Sequence, residues 1–321
     1  MAGEPSGPLV VAGDDLPAAT SGVVGSKAAT LVRIAGEGIA VPRFHVVSSL
    51  AFVLHLRENG IGWPGTPAEW SKRDRVASLR DRISAAPVPD AVARAVADAY
   101  EDLCSGAGHD RVAVRSSAAE EDAPSASYAG RFSSFLGIEG TAAVCDAVRA
   151  CWASYVSEGS LDYRFSRGTL PGAVPSFAVI LQTQVFSDKA GVLFTVHPFD
   201  PGRGTAHIEA NFGTGESVVG GLATPDALTL SRSGGEVVET RIGSKRRMTV
   251  VAPASGGSTV VDVDTERRGA RVLTDAEAAA VLETGLRLER LLGGPQDVEW
   301  AFDRAGLWIL QSRPVTAGPG A

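Results

Sequence analysis

The chain has 321 residues, 44% of them hydrophobic and 21% charged, with a formal net charge of -7. That length holds two domains or lobes with a substantial core, and the acidic balance argues against a nucleic-acid footprint, which needs a basic stripe. No apolar run is long enough for a membrane span, and the opening MAGEPSGPLVVAGDD lacks the basic start and apolar core of a signal peptide. Cys104, Cys145 and Cys151 fit no zinc spacing and leave an odd thiol, as expected of buried or incidental thiols in a reducing cytoplasm. Of the 30 basic residues only four are lysines, Lys27, Lys72, Lys189 and Lys245, so each lysine stands out against an arginine-rich background.

In chain order, SKAATLVRIAG (26–36) has the apolar spacing of a short helix, with Gly36 and Gly38 as stop signals. IAVPRFHVVSS reads as a strand entered through a proline. Residues 68–104 are predicted helical twice, AVARAVADAYEDL being the clearer. RVAVRSS (111–117) is a β-branched alternating strand, SYAGRFSSFLGI a loop with a second strand, and TAAVCDAVRACWASYVSE a helix. After the Pro171–Pro175 loop come the strands SFAVILQTQV, GVLFTV and HIEANF, with a glycine-rich turn at 213–221. The pattern breaks near 184–190, which places a first lobe at 1–185 and a second at 186–321. APASGGSTVVDVDTERRG (252–269) is read as a mobile loop. DAEAAAVLETGLRLERLLG is a helix with Thr274 as N-cap and Glu277 three residues later, a capping-box spacing. Strands and helices mingle throughout, so the fold class is α+β with mixed sheets.

The chain closes with DVEWAFDRAGLWILQSRP (297–314). A three-residue loop, Arg304-Ala305-Gly306, would pair Asp303 with Leu307, Glu299 with Gln311 and Asp297 with Arg313. Side chains alternate faces along a strand, so these four polar residues would share one side, with Val298, Trp300, Phe302, Trp308 and Leu310 on the core side. A carboxylate and an amide oxygen side by side suit Mg²⁺, and an arginine beside them can grip phosphate through two donors. An Asp297–Arg313 ion pair with a solvated Glu299 is the plainer alternative.

Two other motifs bear on the choice. Gly25-Ser26-Lys27 opens a helix, and backbone N–H groups with a lysine at a helix start form a phosphate site. Arg115, inward-facing at the end of a buried strand, is costly unless an anion meets it. That anion is either a phosphate or a structural carboxylate. Downstream, Ser127-Tyr128-Ala129-Gly130 has residues small enough for backbone amides to approach a triphosphate.

GSKAATLVRIAGEGIAVPRFHVVSS, RVAVRSSAAEEDAPSASYAGRFSSFLGI, AVILQTQVFSDKAGVLFT, IEANFGTGESVVGG with TPDA, and DVEWAFD…LWILQSRPVT resemble blocks of the phosphoenolpyruvate synthase and pyruvate phosphate dikinase family, in that family's order. The resemblance spans about Gly25 to Thr316. It implies the family's N-terminal nucleotide-binding domain, a two-lobed ATP-grasp fold shared with rifampicin phosphotransferases, with ATP in the cleft between lobes. It further implies that Lys27 and Arg115 bind ATP phosphates beneath the Ser127–Gly130 loop. Gln182 and Val185 would meet adenine and ribose, Glu299 and Gln311 would hold Mg²⁺, and Arg313 would contact phosphate. Glu216, in GTGE, faces the same cleft in the family's layout.

Three departures stand out: Gly25-Ser26-Lys27 for Gly-Gly-Lys, GTGE for glycine-leucine-glycine-glutamate, and His197 for the usual asparagine before proline. His197 is either a phosphoryl acceptor or a hydrogen-bonded loop residue. Family members continue into a swivelling domain with a phosphorylatable histidine, whereas this sequence stops at Ala321. The expectation is an ATP-dependent phosphotransferase acting on a separate histidine carrier protein or on a small-molecule acceptor. A carboxylate-activating ligase and a non-catalytic nucleotide sensor are the alternatives, and neither nucleic acid nor membrane is an expected partner.

Overall fold

The computed structural model describes residues 7–16, 21–119, 132–166, 168, 170–172, 175–252 and 256–315. The chain divides into two compact units, one of residues 1–32 and 43–184, the other of 33–42 and 185–321. Residues 33–42 thus group with the second unit although they precede most of the first.

The first unit contains β1 (Val10–Ala12), most of α1 (Ser21–Gly36), β2 (Phe44–Val47), α2 (Ser49–Glu58), α3 (Pro67–Trp70), α4 (Arg73–Ala85), α5 (Asp90–Cys104), β3 (Arg111–Ala118), β4 (Ser134–Glu139), α6 (Thr141–Ser154), α7 (Glu158–Ser166) and β5 (Phe177–Thr183). Its five strands form an antiparallel sheet in the order β1-β2-β5-β3-β4. β5 is almost wholly buried and runs FAVILQT without polar alternation, as a strand covered on both faces does. An aromatic cluster fills the core. Phe52 stacks on Trp152 with ring centroids 5.4 Å apart, and Phe177 lies 4.6 Å from Tyr155. α5 docks through Val92, Val96, Ala99, Tyr100 and Leu103, the buried stripe of an amphipathic helix.

The second unit contains β6 (Lys189–Phe194), β7 (Thr205–Phe212), α8 (Glu216–Val219), β8 (Asp226–Ser231), β9 (Val237–Arg241), β10 (Arg247–Val251), β11 (Ser258–Asp262), α9 (Thr265–Arg268), α10 (Asp275–Leu292), β12 (Gln296–Asp303) and β13 (Gly306–Pro314). Six strands form a sheet in the order β13-β12-β6-β7-β8-β9, and β10 pairs with β11. α10 begins with the expected capping box: Thr274 Oγ1 accepts from Glu277 N, and the Glu277 carboxylate accepts from Thr274 N at 2.8 Å. Burial alone would raise the Glu277 carboxyl, but Lys189 and Thr274 outweigh it and hold it below its usual range. One face of the helix packs Val281, Leu282 and Leu288 against Leu193, Ile208, Val298 and Trp300.

The stretch 252–269 is not simply a loop. β11 within it pairs residue by residue with β10, from Arg247↔Asp262 to Val251↔Ser258, and Val263 is fully buried. The β-branched run STVVD supplies the strand, and flanking Gly, Ser and Arg residues conceal it in the sequence. The mixing of helix and sheet is as expected, but the ladders between the described strands are antiparallel throughout rather than mixed.

Candidate functional site

In the first unit, α1 contains a break at Gly25, whose φ of 78° and ψ of 167° are non-helical, so a second helical segment starts at Ser26. The break is pinned to β3. Ser117 Oγ donates to Val24 O (2.8 Å) and accepts from Ala28 N (3.2 Å), while Ser26 Oγ donates to Ala118 O (2.9 Å). A Cβ on Gly25 would lie 2.0 Å from Ser117 O, so only glycine permits this approach. Half-buried Lys27 follows in the first turn of the new segment. The RSS motif of β3 therefore joins the GSK motif through its second serine. Arg115 sits two residues earlier on β3, opposite Ser134 of β4 and Ile180 of β5. It is the fifth of eight strand residues, so the expectation that it ends the strand does not hold: Ser116, Ser117 and Ala118 continue the pairing with β5. Gln182, buried on β5, lies opposite Phe44 and Ala113. Ser127 and Gly130 fall outside the described residues.

In the second unit, the closing hairpin pairs Glu299 with Gln311 and Asp297 with Arg313. The route to that register differs from the expected one. The turn has two residues, Arg304 and Ala305, with Asp303 opposite Gly306. Asp303 Oδ1 accepts from Ala305 N (2.8 Å) and Gly306 N (3.3 Å), closing the turn one residue early. A bulge then makes Leu310 the extra residue between Ile309, opposite Trp300, and Gln311, opposite Glu299. The two offsets cancel at the polar pairs but not between them. Leu307 and Ile309 pack in the main core with Val298, Trp300 and Phe302. Trp308 and Leu310, expected on that core side, instead pack with Val185, Ala190 and Ala301 on the opposite face.

Sheet register extends this face beyond the hairpin. Glu299 lies opposite Val192 on β6, which lies opposite Glu209 on β7, and Asp297 lies opposite Phe194 and then His207. Cross-strand partners project to the same side. The face therefore has three rows: Trp308, Ala301, Ala190 and Asn211; Gln311, Glu299, Val192 and Glu209; Arg313, Asp297, Phe194 and His207. Its ends differ in chemistry, the first row being apolar up to Asn211 and the last carrying the Arg313–Asp297 pair. Arg313 donates through Nε and Nη2 to Asp297 Oδ2 at 2.8 and 2.6 Å, so the ion pair exists, and Gln311 is buried. His207 and Glu209 were not picked out from the sequence. The alternation of HIEANF puts them on one face, but nothing local reveals which strand lies beside β7.

Glu216 is exposed at the start of α8. The loop before it is held by Asn211, whose Nδ2 donates to Ser217 Oγ and Arg247 O, both at 2.9 Å, and by Thr214 N donating to Thr249 O at 2.7 Å. Thr214, which replaces the family's leucine, is buried with its hydroxyl unpartnered. The cysteines are free thiols. Among the described residues no helix is long and apolar enough to cross a membrane, and no group of three or more His, Cys, Asp or Glu forms a metal cluster.

The family model for the pyruvate phosphate dikinase AMP/ATP-binding domain matches residues 21–320. The chain belongs to this family. Membership carries the ATP-grasp assignment with it. A probable phosphoenolpyruvate synthase of Methanothermobacter thermautotrophicus is 36% identical over 306 residues, covering 92% of this chain and 44% of its own length. Rifampicin phosphotransferases of a Streptomyces species and of Streptomyces sviceus are 37% and 35% identical, covering 97% and 94% of this chain but 36% and 35% of theirs. This dikinase-type domain thus spans less than half the length of the curated relatives it matches.

Proposed function

We propose that the chain is an ATP-dependent phosphotransferase domain of the phosphoenolpyruvate synthase type. It binds ATP·Mg²⁺ and passes a phosphoryl or pyrophosphoryl group to a histidine on a carrier protein or directly to a small-molecule acceptor. The observation that carries this reading is the hairpin register, which sets the Glu299 carboxylate opposite the Gln311 amide beside an oriented arginine. Two hard oxygens fit Mg²⁺, because that ion keeps several waters and takes its other ligands from phosphate. Bound there, it would neutralise phosphate charge.

The residues of this chain then have separable tasks. Asp297 holds the Arg313 guanidinium in a fixed plane, from which it meets phosphate. The apolar row of Trp308, Ala301 and Ala190, with Val185 and Leu310, offers a flat surface for a purine. In the first unit, Lys27 and Arg115 bring positive charge to phosphate oxygens, and the Ser117 staple fixes where Lys27 begins its helix. Gln182 serves the adenine and ribose end. Phosphoryl transfer asks for positioning and charge stabilisation rather than covalent chemistry, which these groups supply.

The test is product analysis. Purified chain is incubated with ATP and Mg²⁺, with and without phosphate, pyruvate, rifampicin or a histidine carrier domain, and AMP and ADP are quantified. AMP formation supports dikinase-type chemistry, whereas ADP alone points to simple kinase or ligase chemistry. Glu299→Ala and Arg313→Ala should each lower turnover by about 100-fold or more with an unchanged circular dichroism spectrum. Near-normal turnover in either variant would sink the metal and phosphate assignments.

A further inference from the structure

Two histidines lie outside the groups used above. His197 follows β6, and His207 is the third residue of β7. Their ring centroids are 5.4 Å apart, and the Nδ1 atom of each is buried without a hydrogen-bond partner. His207 Nε2 stands 3.6 Å from Glu209 Oε1, two residues along the same strand and hence on the same face.

A buried ring nitrogen with no partner is costly, so two of them on neighbouring rings call for an occupant. In His207 the Glu209 carboxylate lies on the Nε2 side, so Nδ1 is the nitrogen left without a partner. A metal-ligating histidine has this arrangement, one nitrogen on the ion and the other N–H on a carboxylate. The spacing agrees: with Zn–N of about 2.0–2.1 Å and a near-tetrahedral angle, two imidazoles sharing one ion have centroids about 5 Å apart.

We propose that His197 and His207 bind a borderline divalent transition-metal ion such as Zn²⁺, with Glu209 as the outer carboxylate orienting His207. No third side chain completes a cluster among the described residues, so solvent or an anionic oxygen fills the other positions. The donor set separates this site from the Glu299–Gln311 pair on the same sheet face, because imidazole nitrogen selects transition metals and carboxylate with amide oxygen selects Mg²⁺. The proposal does not depend on the phosphotransferase reading. It explains why a histidine stands at 197, which the nucleotide chemistry leaves unused.

The test uses the full chain stripped of metal and titrated with Co²⁺, followed by visible absorption, with Zn²⁺ as competitor. One equivalent should bind in the presence of excess Mg²⁺, with nitrogen and oxygen ligand-field bands and no thiolate charge-transfer band. His197→Gln and His207→Gln should each weaken binding at least about 10-fold, and Glu209→Gln about 10-fold. Should a variant fail to fold, NMR of the wild-type imidazoles decides: Zn²⁺ must shift the His197 and His207 resonances and leave His45, His55 and His109 unmoved. Absence of stoichiometric binding, thiolate bands, or undiminished binding in the folded double variant His197→Gln/His207→Gln would overturn the proposal. So would a pair that responds to pH but not to metal.

Discussion

Replacing Gly25 with alanine tests how Lys27, the lysine proposed to bind phosphate, is placed. The residue occupies φ 78° and ψ 167°, a region open essentially to glycine alone, and any side chain there costs about 1–3 kcal/mol. The added Cβ would stand 2.0 Å from the backbone oxygen and 2.3 Å from the hydroxyl of Ser117. Ser117 is held in β3 by its pairing with Ala178 of β5, so its carbonyl cannot move aside without breaking that ladder. The helix start must lift away instead, and three hydrogen bonds then fail: Ser117 to Val24, Ala28 to Ser117, and Ser26 to Ala118. At about 0.5–1.5 kcal/mol for each bond, the total loss is about 3–7 kcal/mol, a large part of the stability of a typical domain. Ser117→Ala removes two of those bonds without the clash and should cost about 1–3 kcal/mol. Urea unfolding followed by tryptophan fluorescence measures both, since Trp63, Trp70 and Trp152 lie in the first unit. ATP affinity should fall in both variants, because Lys27 begins its helix two residues after the break. A Gly25→Ala variant within 1 kcal/mol of wild type, or a Ser117→Ala variant that costs more than Gly25→Ala, would refute the reasoning.

Three further outcomes are expected. His55 is fully buried in the first unit, and burial outweighs its backbone hydrogen bond to Ile83 to lower its pKa from 6.5. The unfolded chain therefore binds the proton more readily: the stabilisation is complete above pH 6.5 and is lost as the pH falls toward the folded-state value. The slope is at most about 1.4 kcal/mol per pH unit, and His55→Gln should flatten it in denaturation curves run from pH 7.5 to 5. Lys245 is fully buried, pairs with Asp226 and donates to Gly243 O; Asp226 also accepts from Gly243 N and Val272 N. Lys245→Met strands that carboxylate and should cost about 3–5 kcal/mol, partly recovered by adding Asp226→Asn; a loss below 1 kcal/mol would contradict it. Gly285→Ala in α10 would put a methyl 2.2 Å from Leu193 Cδ2 and 3.2 Å from Thr195 Cγ2. The gain of about 1 kcal/mol expected in a solvated helix should reverse to a loss of about 1–3 kcal/mol in thermal unfolding.

Much of the local structure is legible in the residues. The capping box at Thr274 and Glu277, the helix beginning at Ser26 and the strand FAVILQT each follow from patterns that short-range sterics and hydrogen bonding enforce. What misled was composition that masks a strand, as in STVVD, and turn chemistry within the hairpin. Asp303 is a strand residue by pattern, but its carboxylate caps the turn and shortens it. The Leu310 bulge then restores the polar register while sending Trp308 and Leu310 to the other face. Alternation along one strand cannot reveal a bulge, because a bulge answers to pairing with the partner strand.

The sequence alone, through its ordered motifs, determined the family to which the chain belongs, and it nominated the side chains proposed to carry the chemistry. It also anticipated that Glu299 faces Gln311 and Asp297 faces Arg313, but through a three-residue turn; the observed register comes from a shorter turn and a compensating bulge. Only the tertiary structure decided that β6 and β7 continue that face to Glu209 and His207, that His197 meets His207, and that Ser117 clamps the Gly25 break. Those contacts join separate elements of the chain. Their geometry is set by sheet order and close packing, which no stretch of chain encodes by itself.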